Sequence, residues 1–526
     1  MVSSKMESNV IHYRQSQDVI DAVWRDRRIG IAAAAGIAVL AGLIIGLTMP
    51  RGPATASQAL FVMAVCLAGG LAAGFVSRSR WAILVAPVAH LIVIELFHLG
   101  LQGPTVGAIR LDETFGIIAL VVGRGVYFLF GLLPMALGAS LGATLARRMS
   151  GASAPAKDTA ARLAKYGSAA VVVAVSAFLV LLAVMVLLPP GTPAIVGADG
   201  KPVPGSIAEV TMIDVNGDRQ GMLIRGHSTD NPVLLYLAGG PGQSDLAFPR
   251  ALFSGLEENF TVVCWDQPGE GKSYAGFEPA AELTFERAIN DTIAVTEYLC
   301  ERFDEDKIYV MGESYGSILG VKTVQKRPDL YYAYIGSGQM VNPKETDRRL
   351  YYDMLDLASR TGNEAMAAKM RNYGEPPYDD LYAYTYVAAY YTDLAGEYSP
   401  PAEYEERGAA SGVGPFGVMA SEYGLIEKVN VLRGLFDVFV VMYPQLQDID
   451  FREDASRLEV PVYLMDGDHE LAARHDLAVE WYEGLEAPKK GIFPIANAGH
   501  GAAFEGFREF TRIMNEVVLP ETYPGH

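Results

Sequence analysis

Lys307-Ile308-Tyr309-Val310-Met311-Gly312-Glu313-Ser314-Tyr315-Gly316 is the stretch on which the fold turns. Its first five residues form a strand-type run, rich in β-branched, aromatic and other apolar side chains, and the residues after Gly316 suit a helix. A serine framed by glycines two positions away on each side, at a strand-to-helix turn, is the arrangement that lifts a hydroxyl above the end of a sheet. The turn is tight and the serine takes a strained backbone conformation, so its flanks need residues without a Cβ. Ser314 is therefore the candidate nucleophile.

A serine hydroxyl is a weak nucleophile at neutral pH. A general base has to stand within hydrogen-bond reach, and a carboxylate has to orient that base. On a sheet of this kind the three follow in the chain order serine, acid, histidine. Downstream of Ser314 lie His469, His475, His500 and the terminal His526. His500 falls in Asn497-Ala498-Gly499-His500-Gly501, after the last strand-like run and before an amphipathic helical period over Phe504–Val517, and is the candidate base. The acid is sought in Asp466-Gly467-Asp468-His469-Glu470, which follows the apolar run Val462-Tyr463-Leu464-Met465. Glu470 is preferred as the orienting carboxylate, with Asp468 as runner-up and Asp466 third. A tetrahedral intermediate also needs main-chain donors aimed at its developing charge. Leu237-Ala238-Gly239-Gly240-Pro241-Gly242 follows a buried strand and offers bare backbone, so the N–H groups of Gly240 and Tyr315 are the candidate oxyanion donors.

Around these motifs, from Ile207 onward, short strand-like runs alternate with longer helical periods, which predicts an α/β fold with a mainly parallel sheet covered by helices. Strands are expected at Glu209–Asp214, Gly221–Gly226, Val233–Leu237, Thr261–Trp265, Ile308–Met311, Tyr334–Ser337, Val462–Met465 and Gly491–Pro494. Helices are expected at Phe285–Phe303, after Ser314, and at Asp476–Leu485.

Four landmarks taken in order resemble the proline iminopeptidase family of serine aminopeptidases. Gly239-Gly240-Pro241-Gly242 is similar to the family's H-G-G-P-G, and Asp266-Gln267-Pro268-Gly269-Glu270-Gly271-Lys272-Ser273 to its D-Q-R-G-x-G-x-S. Gly312–Gly316 fits its G-x-S-x-G, and Gly467–Glu470 with Gly499-His500 fits its acid and base positions. The departures are Ala238 for histidine, Pro268 for arginine and Glu470 for aspartate. None removes a group that acyl transfer needs. The resemblance covers about Thr211 to Phe510 and implies an α/β-hydrolase fold with a helical cap. It also implies a serine hydrolase releasing N-terminal proline or another small residue from short peptides through an acyl-enzyme. In such a family the cap offers acids to the substrate's free amine, and Glu375, Asp379 and Asp380 are the cap candidates here, with Asp393 and Glu397 in the same stretch. The resulting division is a core in two parts, 207–342 and 453–526, with the cap at 343–452. The rivals are an esterase or lipase on the same fold acting on membrane-proximal substrates, and a non-catalytic binding or sensor domain. Epoxide hydrolases and dehalogenases use aspartate where this chain has Ser314.

The first third is different in kind. Residues 1–189 carry 15 Lys and Arg against 8 Asp and Glu, whereas the remainder carries 27 against 53, within a net charge of −19. An acidic outer part lacks the cationic surface that nucleic acid requires. Apolar runs near 29–49, 56–76, 81–99 and 168–188 approach the length that a helix needs to cross hydrocarbon. The region 115–146 is interrupted by Arg124 and is divided into a short interfacial or re-entrant piece, Phe115–Val122, and a span from about Val126 to Ala146. An all-α transmembrane region of about five helices at 29–189 is expected, between a cytoplasmic segment 1–28 and a Pro- and Gly-rich linker at 190–206. Arg25, Arg27, Arg28, Arg78, Arg80, Arg147, Arg148, Lys157, Arg162 and Lys165 fall in alternate loops, which puts the N-terminus inside and the hydrolase outside the plasma membrane. Glu95 and His90 inside the third span raise a transport reading, against which Glu95 has Arg124 as a nearby partner. Cys66, Cys264 and Cys300 show no metal-ligand spacing, and there is no H-E-x-x-H or P-loop, so no cofactor or metal is expected. The expected partners are a peptide or other small acyl substrate and the lipid bilayer, with no nucleic acid; the oligomeric state is not encoded in any motif.

Overall fold

The computed structural model describes residues 24, 26–151, 159–396, 398–407, 412 and 414–524. Arg25, Lys157, Glu397 and His526, and nearly all of the segment 1–28, lie outside these residues. The chain divides into two units. One holds the N-terminal helices as far as Leu188, and the other holds the chain from Pro189 together with Gln102–Pro104 and Arg110–Ala119.

In the second unit eight strands form one sheet in the order β1-β2-β4-β3-β5-β6-β7-β8. They are β1 (Ile207–Val215), β2 (Asp218–Gly226), β3 (Val233–Leu237), β4 (Thr261–Trp265), β5 (Ile308–Glu313), β6 (Tyr331–Ser337), β7 (Val462–Gly467) and β8 (Lys490–Ile495). β1 and β2 are antiparallel to each other and β2 is antiparallel to β4; every other pairing is parallel. All eight expected strands are present, each extended by up to three residues at either end. This topology is that of the α/β-hydrolase fold.

The central strands read as unbroken apolar runs because both faces of the sheet are covered. Leu235, Val263, Val310 and Leu464 point to one side, where helices Phe285–Phe303 and Tyr315–Lys326 bring Val295, Leu299, Ile318 and Leu319. Tyr236, Cys264, Met311 and Met465 point to the other, against Phe253, Phe504 and Phe510. The C-terminal amphipathic period is not one helix as expected. It is interrupted at Gly506 between Ala502–Glu505 and Phe507–Ile513 and continues as a π-turn over Met514–Val518; Gly506 packs so closely that a Cβ there would lie 2.1 Å from the Ile495 side chain. All three cysteines are free thiols.

Between β6 and β7 the described residues include helices Pro343–Thr361, Glu364–Tyr373, Leu381–Ala388, Tyr391–Ala395, Ala402–Glu406 and Leu425–Met442. Tyr351, Met354, Met366 and Met370 form a small core of their own here, with Tyr373, Tyr378, Tyr386 and Tyr390 packed around it.

Among the described residues, the N-terminal part of the chain has five apolar helices. Arg27–Thr48, Ala56–Ser77, Thr114–Met149 and Thr159–Leu187 are long and apolar enough to cross a membrane, and Ala82–His98 is a shorter apolar helix of 17 residues. The expected break near Arg124 is absent. The helix runs on through π-turns at Val121–Gly125 and Phe128–Leu132, since the Arg124 guanidinium is met by both Glu95 oxygens at 2.8 Å and by the Val106 carbonyl at 3.0 Å. A charge with that many partners needs no interruption of the helix to reach water. His90 likewise pairs with the Tyr127 hydroxyl at 2.6 Å. Gly70 and Gly74 on one helix lie against Met135 and Ala139 carbonyls, and Gly138 and Gly142 lie against Leu67 and Leu71 carbonyls. A Cβ at any of the four would approach those oxygens to 2.0–2.2 Å. Two G-x-x-x-G faces thus pack backbone against backbone, a device of helices in lipid.

Candidate active site

Ser314 follows the last residue of β5 with φ 52° and ψ −117°. That left-handed, strained geometry is what the elbow demands of a non-glycine residue. Both flanking glycines are sterically required: a Cβ on Gly312 would lie 2.1 Å from the Gly316 carbonyl oxygen, and one on Gly316 would lie 2.1 Å from the Leu237 carbonyl oxygen. The elbow is tied to β6 by the Ser314 N–H to Ser337 carbonyl bond at 3.1 Å. The Ser317 hydroxyl donates to the Ser314 carbonyl at 2.6 Å.

The ends of β7 and β8 bring the acid loop and the histidine loop together. The His469 N–H bonds the Ala498 carbonyl at 2.9 Å and the Asp468 N–H bonds the Ile495 carbonyl at 3.1 Å. His500 then stands with Nε2 2.9 Å from Ser314 Oγ, and its Nδ1 hydrogen-bonds Glu470 Oε2. With a proton on Nδ1 facing the carboxylate, Nε2 is left as the acceptor for the serine hydroxyl.

The Glu470 side chain is 2% exposed. Burial pushes its carboxyl up, but His500 and Arg474 beside it outweigh burial and hold it down to about 2. Its other oxygen accepts from the Leu471 N–H at 2.7 Å and from Arg474 at 3.2 Å. Asp468 has a side chain 46% exposed with His469 Nε2 3.8 Å away, and it accepts the Ala498 N–H at 3.3 Å. Asp466 pairs with His475 at 2.5 Å. The structure therefore brings Ser314, His500 and Glu470 into one hydrogen-bonded series and leaves Asp468 and Asp466 outside it.

The Gly239–Gly242 loop crosses the elbow at contact distance, where a Cβ on Gly239 would lie 3.2 Å from Ser314 Cβ. Its position is held from the Asp266–Ser273 loop: the buried Glu270 accepts the Gly242 N–H at 3.2 Å and the Gln267 N–H at 2.9 Å. Tyr315 opens the helix Tyr315–Lys326, and a first-turn N–H has no carbonyl four residues back to bond. Gly240 follows Gly239 in this loop, and Tyr315 follows Ser314 at the helix start.

The cap acids named from the sequence are turned to other partners. Asp380 pairs with Arg110 at 3.1 Å and caps the Tyr382 N–H at 3.0 Å. Glu375 pairs with Arg348 at 3.2 Å, and Asp379 is exposed. Among the described residues no hydrogen bond joins any of them to Ser314, His500 or Glu470.

Two tyrosines that no sequence motif singles out reach the site. The Tyr391 hydroxyl accepts the His500 N–H at 2.9 Å and donates to the His469 carbonyl at 3.1 Å. The Tyr398 hydroxyl accepts the Gly499 N–H at 3.2 Å and bonds Glu505. They hold the main chain of the histidine loop from the segment between β6 and β7. Among the described residues no group of three His, Cys, Asp or Glu side chains is arranged to hold a metal ion.

A protein-family model described as serine aminopeptidase, S33 matches residues 251–373. The chain is 30% identical over 297 residues to the probable aminopeptidase YbaC of Bacillus subtilis, an alignment covering 56% of this chain and 91% of that protein. It is 29% identical over 160 residues to a proline iminopeptidase of Thermoplasma volcanium, covering 29% of this chain and 50% of that protein. Among solved structures, a proline iminopeptidase-related protein of Thermus thermophilus superposes with a TM-score of 0.41 at 18% identity, over 61% of this chain and 100% of that one.

Proposed function

This chain belongs to the serine aminopeptidase S33 family of α/β-hydrolases, and from that membership we propose that it is a membrane-anchored serine hydrolase that releases N-terminal proline or another small residue from short peptides. The observation that carries the reading is the hydrogen-bonded series from Ser314 through His500 to Glu470 at the strand ends. His500 Nε2 takes the Ser314 proton as Oγ attacks the scissile carbonyl carbon. The resulting oxyanion is received by the N–H groups of Gly240 and Tyr315. His500 then returns the proton to the leaving amine, the C–N bond breaks, and the released residue remains as an ester on Ser314. Water, deprotonated by the same imidazole, hydrolyses that ester. Glu470 stays ionised throughout and holds the imidazole in the tautomer that leaves Nε2 free.

The test of substrate class is hydrolysis of proline, alanine and leucine amides by the detergent-solubilised full chain, each with a free and an acetylated N-terminus, beside a short-chain ester. Free-amine amides are expected to be cleaved and acetylated ones spared. Ester turnover without amide turnover would move the assignment to an esterase.

Anchoring is supported by the four helices long and apolar enough to cross a bilayer. The basic residues in alternate loops favour a hydrolase on the outer face. Protease added to right-side-out spheroplasts is expected to release a soluble fragment containing Ser314. Release only from inverted vesicles would reverse the topology.

A further inference from the structure

Glu313, the residue before Ser314, has no part in the acyl-transfer scheme above. It ends β5 and is 6% exposed, and among the described residues no hydrogen bond or salt bridge reaches its carboxyl. A carboxyl largely withdrawn from water and without a protein donor is costly, and native structures rarely keep one without a use. The acids around it are not in that condition. Asp245 accepts from the Tyr236 hydroxyl at 2.9 Å and from Gln243 at 3.0 Å, Glu470 is paired as described, and Glu505 accepts the Gly499 N–H at 2.6 Å.

The carboxyl also has a defined aim. A Cβ built on Gly239 would lie 2.4 Å from Glu313 Oε2 and 3.2 Å from Ser314 Cβ. The carboxyl and the serine therefore flank the same bare glycine. The surrounding charge selects the sign of a substrate group bound there. Asp245, Glu470 and Glu505 act on Glu313 as neighbouring anions, Arg474 is the cation among its neighbours and is itself paired with Glu470, and the hydroxyls of Tyr236 and Tyr404 complete the set. An anionic group would be repelled, whereas an ammonium would supply the donors that the carboxyl lacks.

We propose that Glu313 is the specificity-determining residue that receives the free amine of the substrate. This rests on the aminopeptidase reading given above.

Burial, with Asp245 and Glu470 next in effect, holds the Glu313 carboxyl well above its usual range, so a proton and a substrate ammonium compete for the same oxygens. Where the carboxyl is protonated, an ammonium binds by displacing that proton to solvent, and the carboxylate left behind pairs with the cation. KM for free-amine substrates should rise as pH falls.

The test compares the full solubilised chain with its Glu313→Gln variant on alanine p-nitroanilide, acetyl-alanine p-nitroanilide and p-nitrophenyl acetate across pH. The expected result for the variant is a KM for the free-amine substrate raised about ten- to one-hundred-fold, the scale of a lost hydrogen bond to a charged group. Its acid-side rise in KM should disappear, while ester turnover and labelling by a serine-directed phosphonate stay as in the parent. An unchanged preference for the free amine in the variant would overturn the role of Glu313 and leave the aminopeptidase reading standing. Ester turnover and labelling falling together with amide turnover would make Glu313 a structural part of the elbow and overturn the proposal likewise. If the parent protein cleaves the acetylated substrate as readily as the free one, the aminopeptidase reading itself falls, before any variant is measured.

Discussion

Ser314→Ala is expected to lower kcat on a free-amine amide by about a million-fold, to the residue of rate that binding and oxyanion stabilisation supply without a nucleophile. His500→Ala should cost nearly as much, and the double variant should cost little more than either single one, because the two groups act as one unit. The expectation follows from the 2.9 Å Ser314–His500 contact and from the strained backbone at Ser314, which holds the hydroxyl where no other described residue would replace it. Alanine removes one oxygen from a half-buried position, so folding and membrane insertion should be retained. The measurement is single-turnover and steady-state kinetics on purified protein, with thermal unfolding as the control for integrity. A residual rate within a hundred-fold of the parent would point to a different nucleophile.

Glu470→Ala and Asp468→Ala should differ sharply. Loss of the Glu470 carboxylate frees the imidazole to turn and to take the wrong tautomer, at a cost of about ten-thousand-fold in kcat. It also strips the buried Arg474 of its partner at 3.2 Å, and breaking a buried ion pair by removing one member costs roughly 3 kcal/mol of stability. Asp468→Ala removes one acceptor at 3.3 Å from the Ala498 N–H on a solvent-facing side chain, and its effect on kcat should stay within about three-fold. Glu470→Gln separates the two consequences of the first substitution, since the amide keeps the volume but cannot hold the imidazole as the carboxylate does. Kinetics and unfolding of the three variants side by side decide the matter, and a larger loss in Asp468→Ala than in Glu470→Ala would overturn the assignment of the acid.

What was legible in the sequence is what depends on close spacing along the chain. Gly312 and Gly316 could be read because the elbow brings each of them against backbone, so that no other residue fits. Glu470 could be preferred because the loop after β7 is short and its geometry leaves few positions for an acid that reaches the histidine. The strands stood out because both faces of the sheet are covered and the apolar runs are therefore unbroken. Contacts made across long stretches of chain were not legible. Tyr391 and Tyr398 meet the His500 loop from more than a hundred residues away, and nothing in their local pattern separates them from Tyr373 or Tyr386, which pack. Glu375 and Asp380 could not be seen to be engaged by Arg348 and Arg110. Glu313 was passed over as the variable position of the G-x-S-x-G motif, although an acid at the end of an otherwise apolar strand was the signal available. In the N-terminal region Arg124 reads as a break although Glu95 is a candidate partner, because neither the two-point contact with Glu95 nor the Val106 carbonyl that completes its bonding is visible in the local sequence. The spacing of Gly70 with Gly74 and of Gly138 with Gly142 was present in the sequence as a sign of close helix packing.

The most direct test of the account is to find which atom is acylated. The solubilised protein is treated with a serine-directed fluorophosphonate, digested, and the modified peptide sequenced by mass spectrometry, with Ser314→Ala and His500→Ala carried alongside. The expected result is a single adduct on Ser314, absent in Ser314→Ala and formed far more slowly in His500→Ala. An adduct on another residue, or an unlabelled parent protein that still hydrolyses its substrate, would contradict it.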